Sequence, residues 1–485
     1  MKIVFRKLLE RYMYCYMFFF DIKSCLISLL LSVISVCKAS VVYVSSSNGD
    51  DRYDGLSPSM PFKTIGKALV VGDTICLKSG DFFFERVSLN NKHLRAYGGH
   101  TKPVISGYKR LISKSWEHVG ENIWKVNLKE ASFSGNGTIE NSSFLNNIGC
   151  IHECESDNLH GRKLQYRNQL KENWDLWQTE HYERNETNAE DFDTLYLYLD
   201  KSPNDLILEF SVGITGVSLR NSSIEDIRIE GFGCHGITGK SNSVIRNCEI
   251  DGIGGMTQVG YKNYTCLGNG IEFYVSENID NCLVEKCRIS RCYDCGVTIQ
   301  GGRCGQATPS NIIVRDNLIF NCCQGWEDFL NNDDDVVYRN CSFENNIVFN
   351  SGKTSGFNYP ESRFKYCHVL GNSLKGFKGM IIRNNKFVGG NYYIGGVRPV
   401  QYKSNVWQGN ICYIKRGDFI LSNYGGHSDV IRVPKDRGIY DSLGAATDAA
   451  IAKYREMTGD KTTRFVIEEE RKLNKRIAKL KKKYL

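Results

Sequence analysis

The chain has 485 residues, with 46 Gly but only 8 Pro, and its net charge of +8 is concentrated at its ends. Residues 1–39 carry +4 and residues 468–485 carry +5, which leaves a body of about −1. That body is not a basic surface, which argues against nucleic-acid binding.

In chain order, Lys2, Arg6, Lys7, Arg11 and Lys23 precede an apolar run from Cys25 to Val36, and Cys37-Lys-Ala39 supplies small residues for cleavage. This reads as an export signal over 1–39, with an uncleaved anchor as the alternative. The run is shorter than the roughly 20 apolar residues that cross a bilayer, so no stable membrane span is expected once it is removed. The expected location is secreted, periplasmic or cell-surface. Residues 40–110 read as an N-terminal cap with the first structural repeats. Val41–Val44 is a strand, 45–58 is rich in turn residues, Pro61–Leu69 has helical apolar spacing, and Gly72–Leu77 returns to strand. Residues 111–215 read as an inserted β-rich subdomain. Trp116, Trp124, Trp174 and Trp177 lie in it, with alternating strands at Asp193–Leu199 and Leu206–Phe210. Residues 426–485 form a C-terminal segment, helical from Ala445, ending in a basic helix that reads as a solvated helix or cap, or as a partner-binding helix.

Residues 216–425 repeat one phrase. Its first half, apolar-x-x-Asn/Cys-x-apolar, occurs at Val244–Ile250, Val284–Ile289, Ile313–Ile319, Val337–Phe343 and Phe364–Val369. Its second half, Gly-apolar-x-apolar, occurs at Gly270–Phe273, Gly296–Ile299 and Gly356–Tyr359, with Gly325–Asp328 as a looser copy. Self-similarity at this period means a stacked coil in which each rung needs only its neighbours. In this register Cys248, Cys287, Cys341 and Cys367 share a strand position, while Asn317 holds it in another rung. Stacked strands lie about 4.8 Å apart, within the roughly 4.4–6.8 Å that disulfide Cα atoms span. A Cys341–Cys367 disulfide is therefore feasible, and the competing reading is an inward column of small buried thiols. Cys292-Tyr-Asp-Cys295 has metal-like spacing, but no second pair with matching His or Cys spacing accompanies it, which argues against a structural zinc.

The opening Tyr43-Val-Ser, Asn48-Gly-Asp-Asp51, Asp54-Gly-Leu-Ser-Pro58, Pro61-Phe-Lys-Thr-Ile65 and Gly72-Asp-Thr-Ile75 resembles the start of secreted proteins of the pectate-lyase-like superfamily. Ile105-Ser-Gly107, Ile123-Trp124, Leu195–Tyr198 and Gly231–Ile237 continue the resemblance, which spans roughly 41–425. It implies an all-β, right-handed parallel β-helix (a solenoid) with an N-terminal cap, an inserted β-rich subdomain and a C-terminal helical tail. It implies much less about reaction. Members include polysaccharide lyases, glycoside hydrolases, epimerases and proteins without known activity, and fold does not settle function.

The Gly-led strand supplies a face on which to seek chemistry. Ile237, Ile271, Val297, Trp326 and Phe357 would point inward, and Thr238, Glu272, Thr298, Glu327 and Asn358 outward. Glu272 and Glu327 are then two rungs, about 9.6 Å, apart along the backbone. Inverting glycosidases hold their two carboxyls roughly 6.5–9.5 Å apart, so a hydrolase pair is the first reading. Surface acids falling in one column by chance are the alternative. A register slip at Glu327 would make Asp328 the outward acid. Asp294 lies at a neighbouring corner, and Asp333, Asp334 and Asp335 form a run that reads as a solvated turn, a calcium site or a further catalytic acid at Asp333. The hydrolase reading requires no cofactor, with calcium as an option. Lysis by β-elimination, the second reading, needs a cation at the bond, for which Lys262, Arg303 and Arg315 are candidates. His235 and His152 are candidate acids or bases. Tyr274 and Tyr293 could stack on sugar rings, with Lys262 and Arg303 beside them as substrate contacts. The expected partner is a polysaccharide; a non-catalytic carbohydrate-binding or structural β-helix is the third reading. The sequence leaves the oligomeric state open.

Overall fold

The structure, a computed structural model, describes residues 40–112, 114–134, 146–182, 189–260, 264–301, 307–330, 336–352, 367–371, 377–390, 392–395, 405–415, 419–422 and 443–484. The export-signal reading of 1–39 falls outside them.

Three long sheets of ten, ten and nine strands run the length of the coil, every pairing within them parallel. One rung shows the path: Val217–Arg220 in the third sheet, Ser223–Glu225 in the first, Arg228–Glu230 in the second, then Ile237–Gly239 back in the third. The protein is a parallel β-helix. Its interior is a continuous apolar column that includes Ile224, Ile245, Val284, Val314 and Phe343 from the first sheet. The same column takes Ile237, Ile271, Val297 and Trp326 from the third.

The corners explain the Asn-rich phrase. Between the third and first sheets, Asn221, Asn242, Asn281, Asn311 and Asn340 all take positive φ, a conformation Asn tolerates best among residues with a side chain. Their amides also bond rung to rung, Asn281 to Asn242 and Asn242 to Asn221 at 2.9 Å each. Between the first and second sheets, a second left-handed residue (Asn247, Lys286, Asp316, Asn345, Asn384) precedes an inward one. That inward position carries Cys248, Cys287, Asn317, Asn346, Asn385 and Asn410. The four asparagines form a buried ladder: the N–H of Asn317 donates to Asn346 Oδ1 at 2.9 Å, Asn346 N–H to Asn385 Oδ1 at 2.9 Å, and Asn385 N–H to Asn410 Oδ1 at 3.0 Å. Each Nδ2 returns a bond to a core-strand carbonyl, as Asn346 does to Val314 O at 3.0 Å. Cys287 fills the same role more weakly, its thiol donating to Ile245 O at 3.7 Å.

The ladder corrects the cysteine expectation. Cys341 lies within the first-sheet strand Val336–Glu344 and Cys367 in the third-sheet strand Cys367–Gly371, so they are on different faces and cannot pair. The first-half copy assigned to Val337–Phe343 is displaced: the strand aligns Ser342, not Val337, with Ile313. No disulfide joins any two of the 15 described cysteines, most of which are buried. The Gly356–Tyr359 copy, with Phe357 and Asn358, lies outside the described residues, and the strand paired to Gln324–Leu330 is Cys367–Gly371.

Outward on the first sheet, Arg95, Glu225, Arg246, Glu285, Arg315, Glu344 and Arg383 occupy one column in seven successive rungs, with charges alternating throughout. Opposite charges directly across a ladder stabilise it. Arg246 and Arg315 both hold the Glu285 carboxylate, at 2.6 and 2.7 Å.

Both ends of the coil are covered. Helix α1, Ile65–Val71, starts at the N-cap Thr64, whose side chain accepts from Lys67 N, and buries Ile65 and Ala68 against the first rungs. Helix α2, Leu443–Thr458, brings Ala450, Tyr454 and Met457 onto the far end of the core. Helix α3, Glu470–Tyr484, lies along the second sheet with Leu473 and Ile477 packed on Phe320, Phe349 and Val388. A strand unforeseen in the sequence, Arg464–Glu468, adds to the second sheet between these helices. Among the described residues no helix is long and apolar enough to cross a membrane.

Between Val104–Ser106 and Val217–Arg220 the chain builds two five-stranded, mostly antiparallel sheets. Their core joins Trp116, Leu176, Leu195, Leu197 and Phe210. They sit directly on the coil: a Cβ on Gly149 would lie 2.0 Å from Gly254 O.

Candidate active site

The third sheet aligns Ile237, Ile271, Val297 and Trp326, all 0 % exposed, along the interior. The next residues, Thr238, Glu272, Thr298 and Glu327, form the outward column. Glu272 and Glu327 therefore share a face two rungs apart. Both are nonetheless buried, 4 and 5 % exposed.

Around them the corner between the second and third sheets supplies two more ionisable groups. His235 Nε2 lies 3.4 Å from Glu272 Oε2. The backbone N–H of Asn269 donates to His235 Nδ1 at 3.2 Å, which fixes the ring and leaves Nε2 to carry the proton facing Glu272. Asn269 also accepts the Cys295 N–H on its side chain at 3.3 Å, tying this corner to the next rung. Gln300 donates its amide to Glu272 Oε1. Thr298, between the two glutamates, donates its hydroxyl to Glu327 Oε2 at 3.0 Å. The Gln324 amide, in the orientation that satisfies both of its ends, donates to Asp294 Oδ1 at 2.8 Å.

These surroundings set protonation. Burial pushes the Asp294 carboxyl up to about 7; His235 opposes the shift and Glu272 adds to it. Burial holds Glu327 well above the usual carboxylate range, reinforced by Asp294 and only partly opposed by the Thr298 hydrogen bond. Burial, the largest single influence, would lower the His235 pKa, but the facing Glu272 carboxylate together with Cys234 and Asp294 outweighs it and raises it to about 9. The Asn269 bond works against that rise, because it needs an unprotonated Nδ1. The site thus combines a carboxyl whose pKa burial raises well above the usual range, a second carboxyl two rungs away that accepts an amide hydrogen bond, and a third that titrates near neutrality.

The other candidates are placed as follows. Asp328 does not face outward: the register runs through Glu327 without a slip, so Asp328 joins Trp326 and Leu330 on the interior face, 2 % exposed. Among the described residues its Oδ1 has no hydrogen-bond partner, and burial raises its pKa well above the usual range. Tyr293 is 1 % exposed in a cluster with Tyr108, Cys150 and Cys266, so it is a packing residue and not a sugar platform. Tyr274 is 42 % exposed and two residues beyond Glu272, on the same face. Arg315 is engaged in the ion-pair column, and His152 lies in the inserted sheets. Lys262, Arg303, Asp333, Asp334 and Asp335 lie outside the described residues, and with them the expected calcium site. Sequence reasoning did not single out Asn269, Gln300 or Gln324. Gln300 was within reach of it, being two residues after Thr298 on an alternating strand; Asn269 and Gln324 precede the strand glycines and carry no such signal.

No family model matches the chain, and no curated protein matches it. Solved structures do. An XylC complex with xylose is 13% identical, over 79% of this chain and 69% of that one, with a TM-score of 0.41. A GH136 lacto-N-biosidase from Eubacterium ramulus is 14% identical, over 91% and 69%, with a TM-score of 0.41. The tailspike protein gp49 from Pseudomonas phage LKA1 is 11% identical, over 79% and 77%, with a TM-score of 0.20.

Proposed function

We propose that this protein is an exported glycoside hydrolase that cleaves a polysaccharide with paired carboxylates, Glu327 as the proton donor and Glu272 as the base. The observation that carries the reading is the outward column itself. Two buried carboxyls stand two rungs apart, about 9.6 Å between backbones, in environments that differ in kind. General acid catalysis needs a group that still holds its proton at working pH. Burial gives Glu327 that property. Glu272, held by Gln300 and facing His235, accepts a proton from a water lodged between the two carboxyls. Backbones two rungs apart leave room for the roughly 6.5–9.5 Å carboxyl spacing of inverting enzymes, so single displacement with inversion at the anomeric carbon is the expected course. Asp294, near 7, sets the charge that both glutamates feel. Tyr274 is the exposed ring on which a sugar would stack.

The test is a screen of the purified chain against diverse glycans, reading reducing ends and ultraviolet absorbance together. Hydrolysis yields reducing ends alone, with the anomeric product inverted. Glu327→Gln and Glu272→Gln should each lower kcat about 10²–10⁴-fold with unchanged circular dichroism. Unsaturated products would assign the site to β-elimination, retention of glycan without cleavage would assign it to binding, and full turnover in either variant would remove the paired-carboxylate mechanism.

A further inference from the structure

A second cluster of ligating side chains lies outside the proposed active site, in the inserted sheets. Antiparallel pairing sets His152 directly opposite Glu209, and Glu209 opposite Arg110. Cys154, two residues after His152, projects from the same face. One ligand atom each from His152, Cys154 and Glu209 lies within 4.8 Å of the others, and this is the one such trio among the described residues. His152 Nδ1 is 3.0 Å from Glu209 Oε2 and 4.0 Å from Cys154 Sγ.

We propose that His152 Nδ1, Cys154 Sγ and Glu209 Oε2 bind a zinc ion, with a fourth position left to water or a solute. The donor set of one imidazole, one thiol and one carboxylate suits a borderline-soft, tetrahedral ion. The surroundings are those of a metal ligand set. A ligating histidine commonly gives its other nitrogen to a carboxylate, and His152 Nε2 lies 3.1 Å from Asp157 Oδ1. Asp157 is held in turn by Arg291 of the coil, at 3.1 Å. Arg110 takes the opposite oxygen of Glu209, Oε1, at 2.8 Å, which leaves Oε2 directed at the cluster. Tyr108 stacks on the His152 ring at 5.2 Å and fixes its plane. The His152 and Glu209 side chains are 18 and 17 % exposed, enough for an ion to enter. On binding, the proton between Nδ1 and Glu209 and the Cys154 thiol proton pass to solvent. Through Asp157 and Arg291 the ion ties the inserted sheets to the coil.

The full chain, stripped with chelator, is titrated with Zn²⁺ alone and with Co²⁺ alone. One equivalent should bind, the Co²⁺ form should show a thiolate-to-metal charge-transfer band, and melting should rise with free zinc. Cys154→Ser should remove the band and His152→Ala the equivalent. Asp157→Asn, which keeps all three donors, should weaken affinity about 10–100-fold while retaining the band. Failure to take up an equivalent, or a band and affinity unchanged in Cys154→Ser and Asp157→Asn, overturns the site and leaves the cluster as an ion-pair network.

Discussion

Replacing Asn346 with Ala tests whether the asparagine ladder holds the coil together. The side chain is fully buried and makes four hydrogen bonds. It accepts the Asn317 backbone N–H at 2.9 Å and the Asn317 amide at 3.0 Å, and it donates to Val314 O at 3.0 Å and Asn385 Oδ1 at 3.1 Å. Alanine leaves the Asn317 N–H wholly unpaired, while the Asn317 amide keeps its bond to Val284 O. One orphaned buried donor costs about 1–3 kcal/mol and each of the three further lost bonds about 1 kcal/mol, so a total of about 4–6 kcal/mol is expected. Asn346→Cys should cost less, because a thiol can reach the carbonyl that Cys287 reaches from the same position. Asn346→Asp should cost more than Ala at neutral pH, since it sets an unpaired carboxylate oxygen against Val314 O. The assay is urea unfolding followed by tryptophan emission. Trp326 packs 5.0 Å from Phe343, close to the altered position, and reports on it. A loss below about 1 kcal/mol for Ala, against the expected cost of an orphaned donor, or a Cys variant as unstable as Ala, would refute the ladder as a principal source of stability.

Glu285→Gln should destabilise the first sheet by about 1–2 kcal/mol at low salt and less at high salt, because Arg246 and Arg315 are both partly exposed; salt-independent melting would argue against the charge column. Asp294 has a raised folded pKa, so the stability it contributes is complete below its unfolded value of 3.8 and is lost as pH rises through about 7. Asp294→Asn should therefore flatten the pH dependence of unfolding over that window, and an unchanged profile would place Asp294 in solvent. Gly149→Ala meets Gly254 O at 2.0 Å and should loosen the inserted sheets from the coil, seen as faster hydrogen exchange in 146–182 while the distal rungs hold.

The fold was legible because its corners demand particular residues. A left-handed Asn and, six residues on, an inward Asn or Cys recur once per rung, as at Asn242 and Cys248 or Asn311 and Asn317, although the rungs themselves differ in length. The phrase misled where it degenerates. The true copy at 342–348 begins with Ser342, so an apolar-led match falls instead at Val337 and places Cys341 in the wrong column. Ile381–Phe387 and Val406–Cys412 are further copies, whose Asn385 and Asn410 complete the ladder. The outward column was legible too, since alternation alone relates Glu272 to Glu327. Its burial and charge state were not, because they depend on what the corners fold over it.

Those corners explain why chemistry would collect on these rungs and not on others. Between the second and third sheets the connection runs 254–270 before the Glu272 strand, but only 293–294 and then 321–323 before the next two. A long corner beside two short ones makes a step in the surface of the coil. His235, Asn269 and Asp294 stand along that step, and the inserted sheets abut it through Gly149. An acid on an open β-helix face would be solvated and strong. At this step Glu327 is withdrawn from water while Thr298 still orients it, and withdrawal is what keeps its proton. Lengthening the 293–294 corner by a few residues should fill the step, with some loss of melting temperature because Tyr293 is packed in an interior cluster. The expected result is loss of glycan turnover in a variant that still folds; retained turnover would mean that the step is not where substrate lies.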